Sequence, residues 1–198
     1  WGHITTHGDG AYGMAGFSHS RAVNTGNGWI VTSGDKAYGM YGENVSELSN
    51  SGTIVTDGED SYGMYANSVS TAVNSGDITT YGSRARGMFA YLDSTVSNLG
   101  ADSIVTWGES AYGMAAFDTS SADNSGSVTT HGDKATGMYA HIDSYAENSG
   151  SITTYGNKAA GMRADETSRL LNSGSIVTEG AEAYGMDDVM RLDHPATG

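Results

Sequence analysis

Residues 103–126 read SIVTWGESAYGMAAFDTSSADNSG. An Ile-Val-Thr run opens the stretch, an Ala-Tyr-Gly-Met-Ala-Ala run fills its middle, and a Ser-Ala-Asp-Asn run closes it. β-Branched and aromatic residues sit inside the runs, while Gly, Asp and Ser sit between them, which reads as three short strands. No segment of the chain has helical periodicity, and 24 residues cannot hold two helices. The same pattern returns on both sides. Methionine recurs at Met14, Met40, Met64, Met88, Met114, Met138, Met162 and Met186, with gaps of 26, 24, 24, 26, 24, 24 and 24. Ten residues before each stands Ile4, Ile30, Ile54, Ile78, Ile104, Val128, Ile152 or Ile176. Ten residues after the first seven stands Asn24, Asn50, Asn74, Asn98, Asn124, Asn148 or Asn172.

A fixed period of this length marks a stacked array in which no unit can bury its own apolar face. Three strands per turn, one turn on the next, predict an all-β fold. It is a single-stranded parallel β-helix (β-solenoid) of about eight coils of 24 residues with three short strands per coil. At roughly 4.8 Å between strands, eight coils make a rod about 38 Å long. Both two-residue expansions, at Gly26–Trp29 and Gly100–Ser103, fall between an Asn and the next Ile, which marks a surface loop. The Thr6-to-Thr178 column is unbroken, as are the glycine columns from Gly8 to Gly180 and from Gly13 to Gly185.

Alternation sends Ile and the Thr two residues later inward, and the residue between them outward. Ala11 and Met14 have opposite parity yet both columns are near uniform. The Gly13 column is therefore expected at a bulge or corner with φ > 0, so that Ala and Met both face in. The asparagines are expected either as an inward amide ladder between coils or as solvent-exposed turn residues. Residues 1–186 make the array. Residues 187–198, with the one proline, break the consensus and read as an irregular cap or the start of a next module.

The 198 residues hold 29 Gly, 1 Pro and 0 Cys, which excludes collagen and a disulfide scaffold. Lys+Arg is 9 against Asp+Glu 23, a net charge of −14 that disfavours nucleic acid and anionic lipid as partners. No apolar stretch reaches the roughly 20 residues of a spanning helix, so this segment is not expected to insert in a membrane. The chain opens at Trp1 with no initiator Met, which reads as a piece of something longer.

Units such as SIVTEGAEAYGM (175–186) and SITTYGNKAAGM (151–162) resemble the passenger domains of bacterial autotransporters, the type V secreted proteins, along residues 3–186. Filamentous-haemagglutinin-like secreted adhesins are a neighbouring resemblance. The resemblance implies a right-handed parallel β-helix, export across two membranes, display on the outer membrane at the bacterial cell surface, and adhesion. A chain threaded unfolded through a narrow pore also suits the missing cysteine.

No catalytic, cofactor or metal set emerges from the residues. The Gly-x-Ser-x-Gly and Gly-Asp-Ser-Gly signals of serine hydrolases are absent. His3, His7, His19, His131, His141 and His194 are scattered; His7 and His131 share a column five coils apart, roughly 24 Å. Asp57, Glu59 and Asp60 share a turn, and Arg84 with Arg86, the only tight basic pair, reads as a solvated face. The stacked methionines read as core filler. Three aromatic ladders are expected to face outward: Tyr81, Trp107, His131 and Tyr155; Tyr41, Tyr65 and Phe89; and Tyr12, Tyr38 and Tyr62. Such rings stabilise the rod by packing and offer contact surface to a glycan or protein. The function expected is a non-catalytic adhesin or structural stalk. Its partners would be a host or neighbouring-cell surface glycan or protein, with end-to-end or lateral self-association. The alternatives are a β-helical polysaccharide-degrading enzyme, which needs clustered carboxylates beside a basic residue, and an ice-binding solenoid, which the inward parity of the Thr column opposes.

Overall fold

In the computed structural model, which describes residues 2–100 and 103–189, each of the first seven coils contributes one strand to each of three sheets and the eighth contributes to two. In the fourth coil these strands are Asp77–Thr80, Arg86–Tyr91 and Thr95–Asn98. The sheets hold eight, eight and seven strands, and each strand pairs in parallel with its counterparts in the coils on either side. The chain is an all-β parallel β-solenoid of about eight turns. Register follows the sequence columns: Ile78 lies between Ile54 and Ile104, Met88 between Met64 and Met114, and Asn98 between Asn74 and Asn124.

The core runs along the axis. The Ile column of the first sheet and the Met column of the second are buried in every inner coil, and Ala22, Leu48, Ala72, Val96, Ala122 and Ala146 complete it from the third. Each coil covers its neighbour, and Met88, between two coils, is fully buried. The strand Tyr184–Val189 carries the array past residue 186; the rest of the expected cap lies outside the described residues.

Alternation resets at the glycine before each Met, but not through φ > 0. None of these glycines is in the left-handed region. The reason for glycine is close approach. A Cβ on Gly87 would meet Ile104 Cγ2 at 2.2 Å and the Gly113 carbonyl oxygen at 2.5 Å, so the backbone itself fills the inward slot beside Met88. Left-handed conformations sit instead at the corners. Between the second and third sheets two successive residues adopt them, Leu92 and Asp93 at φ 53° and 55°, and even Val69 and Ile142 at 62° and 54°. This region disfavours β-branched side chains. Axial hydrogen bonds hold the turn: the Val69 N–H donates to the Leu92 carbonyl at 2.9 Å.

A serine follows each of these turns. The backbone N–H of Ser70 donates to Ser94 Oγ at 3.1 Å, and that of Ser94 to Ser120 Oγ at 3.1 Å. A second ladder is the amide ladder expected of the asparagines. Each Nδ2 from Asn24 to Asn148 donates to the Oδ1 one coil on, at 2.7–2.9 Å. These amides are buried and satisfied, the condition under which a polar row stabilises a core. The Thr column is inward, as parity requires. The Oγ1 of Thr32, Thr56, Thr80, Thr106, Thr130 and Thr154 is buried with no hydrogen-bond partner.

Candidate contact surface

Outside the core the columns are no longer uniform, and aromatic rings gather on two faces. At the corner after the first sheet, Trp107 and His131 stack at 3.9 Å and 8°, and His131 and Tyr155 at 4.9 Å and 9°. Tyr81, one coil before, is exposed but is not part of this stack. Near-parallel rings on successive coils spend their faces on one another. The surface therefore presents ring edges, with Trp107 and Tyr155 each nearly half exposed. Burial lowers the His131 imidazole from its ordinary value, because it disfavours the charged form.

The outer face of the second sheet carries the other two ladders. Tyr12, Tyr38 and Tyr62 stack at 5.6 and 4.9 Å. Tyr41, Tyr65 and Phe89 point away from the axis but are not free: Tyr41 and Phe89 are buried under rings of the flanking columns. Phe89, Ala115 and Tyr139, packed against Tyr62, Tyr65, Tyr91, Tyr112 and Phe117, form a second apolar cluster outside the coil. Burial, followed by the neighbouring phenols of Tyr62 and Tyr12, pushes Tyr38 up to about 12. Burial first also raises Tyr62, Tyr65 and Tyr139.

Arg86 belongs to this cluster, which corrects the reading of Arg84 and Arg86 as one solvated face. Its guanidinium carbon lies 4.0 Å from the Phe89 ring centre, 4.8 Å from Tyr62, 5.0 Å from Phe117 and 5.5 Å from Tyr112. Phe117 reaches it from another column, a contact that residue spacing does not reveal.

Arg84, two residues earlier, is exposed and paired. It meets Asp60 through Nε and Nη2 at 3.1 and 3.0 Å, and also Glu59. Along the same turn, Lys134 donates to Glu109 at 2.8 Å and Lys158 stands 3.6 Å from Glu182. These are axial ion pairs, each between one coil and the next. Glu59, Ser83, Arg84, Glu109 and Ser110 line a shallow depression of about 280 Å³ there. On the third sheet, Asp123 and Glu147 stand level in adjacent coils; burial, then the Glu147 charge, raises Asp123. Among the described residues no three His, Asp or Glu side chains converge to hold a metal ion.

The family model of the BigA third pectate lyase-like domain matches residues 1–101 and again residues 93–192. The chain belongs to this family. Each match spans about four coils, and the two overlap at residues 93–101. The family's description names a fold likeness to pectate lyase and assigns the chain no reaction. Comparison with curated proteins and with solved structures finds no match.

Proposed function

We propose that this BigA-type array is a non-catalytic contact module displayed at a bacterial cell surface, an adhesin or a stalk that carries contact surface on its flanks. The observation behind this is the contrast between inside and outside. The inward Met, Thr and Asn columns hold one residue type through the inner coils and the other inward columns stay aliphatic, whereas the outward ones mix polar, charged and aromatic residues and concentrate rings on two faces. Rows of axial ion pairs and stacked rings stiffen a rod, and half-exposed Tyr and Trp suit contact with a glycan or a protein. Export as an autotransporter passenger is part of the same reading, supported by the repeat style.

Polysaccharide degradation is the second reading, favoured by the depression at Glu59, Arg84 and Glu109. There the carboxylates are engaged by Arg84 and Lys134, which opposes a free acid–base pair. The test coats beads with the chain, passes them over epithelial and bacterial cell layers, and compares wild type with Trp107→Ala/Tyr155→Ala. Adhesion above bare beads, lowered several-fold in the variant, supports the contact role. Adhesion no better than bare beads, or shortened polysaccharide chains after incubation with the protein, overturns it.

A further inference from the structure

Arg86 stands in a column held by tyrosine in the coils around it: Tyr12, Tyr38 and Tyr62 precede it, and Tyr112 follows. A tyrosine here would continue the ring stack with no charge to desolvate, so packing alone does not call for arginine. The cation is costly where it stands. Arg86 Nη1 donates to the Tyr62 hydroxyl at 2.9 Å, while Nε is buried with no partner. None of the described carboxylates lies within ion-pairing distance. Arg21, Arg84, Lys134, Lys158 and Arg163, by contrast, each have one. Lys36 and Arg169 have none, but both are exposed to water. Ring faces offset part of the cost of desolvating a guanidinium, yet a buried charge is ordinarily matched by an anion. Here an acidic chain holds a half-buried, ring-walled cation that its described carboxylates leave unmatched.

We propose that the outer face of the second sheet is a protein-docking surface, with Arg86 as the anchor for an aspartate or glutamate carboxylate of the partner. The inference deepens the contact role proposed above and rests on it. An arginine set among Tyr and Phe is the composition that dominates binding energy at protein interfaces. Phe89, Tyr62, Phe117 and Tyr112 wall the site against water, which strengthens the charge-assisted hydrogen bond the guanidinium can still make. Acidic residues elsewhere on the flanks repel a polyanion at long range, so the site suits one carboxylate on an otherwise uncharged loop.

The experiment titrates the full chain with the α-amide of N-acetyl-glutamic acid, following the Arg86 Nε–H resonance and the ring signals of Tyr62, Phe89 and Phe117 by NMR. Glucuronic acid and inorganic phosphate are parallel arms. The variant is Arg86→Tyr, which restores the column's own residue and is expected to fold with a melting temperature equal to or above wild type. The expected result is a saturable shift in the millimolar range, at least tenfold weaker for both other anions and lost in Arg86→Tyr. No saturable shift, the same shift in the variant, or tighter binding of glucuronate or phosphate overturns the proposal. A failure here with bead adhesion intact leaves the contact role standing; loss of adhesion alone does not touch the carboxylate site.

Discussion

Replacing Asn98 with alanine tests the amide ladder where it is most deeply enclosed. Asn98 is fully buried, accepts from Asn74 Nδ2 at 2.9 Å and donates to Asn124 Oδ1 at 2.9 Å. Truncation removes both bonds, together with a longer one that Asn98 Nδ2 donates to the Ser127 carbonyl at 3.4 Å. The neighbours are not orphaned, because Asn74 Nδ2 still donates to the Gly76 carbonyl at 2.7 Å and Asn124 Oδ1 still accepts from the Gly126 N–H at 3.2 Å. Two net hydrogen bonds at about 1 kcal/mol each, plus a small cavity, give a loss of about 2–4 kcal/mol. Asn24→Ala at the first rung removes one such bond, at 2.8 Å, and is expected to lose roughly half as much. Asn98→Asp has the same shape but turns an acceptor toward Asn124 Oδ1. It is expected to cost more than alanine at neutral pH and to recover as acid protonates it. Urea unfolding followed by circular dichroism and Trp fluorescence measures all three. Because the array is a chain of nearest-neighbour terms, Asn98→Ala also favours splitting of the transition into two steps. A loss below about 0.5 kcal/mol, or equal losses at Asn98 and Asn24, refutes the ladder as a source of stability.

Three further outcomes are expected. Gly87→Ala drives a Cβ into the Gly113 carbonyl and is expected to cost about 3 kcal/mol or more, whereas Gly16→Ala, whose nearest atoms lie at 3.5–3.6 Å, is expected near neutral; thermal melts that rank them equally contradict the close-approach account. Thr106→Val removes a buried hydroxyl without a partner and is expected to raise stability by about 1 kcal/mol; a lowered melting temperature means the hydroxyl is engaged. Tyr38 is protonated in folded and unfolded chains below its ordinary value near 10, so its contribution is complete there. Above that value the unfolded chain ionises first, and stability falls until the folded group titrates at about 12. Ultraviolet titration of the phenols beside melts across that window reads this, and uniform ionisation near 10 with unchanged melts contradicts it.

Stacking was legible because a solenoid sets like residues on like, and the Ile, Met, Thr and Asn columns name the register directly. The serine ladder was equally visible, as a Ser four residues before each Asn of the column from Asn24 to Asn172, but a serine at a turn invites no such reading by itself. The Gly87 column was misread in its cause because positive φ and close approach leave the same residue behind. Backbone geometry separates them: these glycines lack positive φ and, before the last coil, lie against the next coil's carbonyl. On the outer surface the sequence spacing carried less. Whether Tyr41 is free or covered depends on rings in the flanking columns, and the setting of Arg86 on Phe89 and Phe117 in other columns. Columns run along the axis, and these contacts run across it.

Methyl NOE spectroscopy on protein labelled at the methionine methyls addresses the axial stacking most directly. The account predicts a single connected path through Met40, Met64, Met88, Met114, Met138 and Met162, each methyl seeing those one coil before and after and none seeing water. Methionine methyls without mutual contacts, or broadened by a soluble paramagnet, would contradict it.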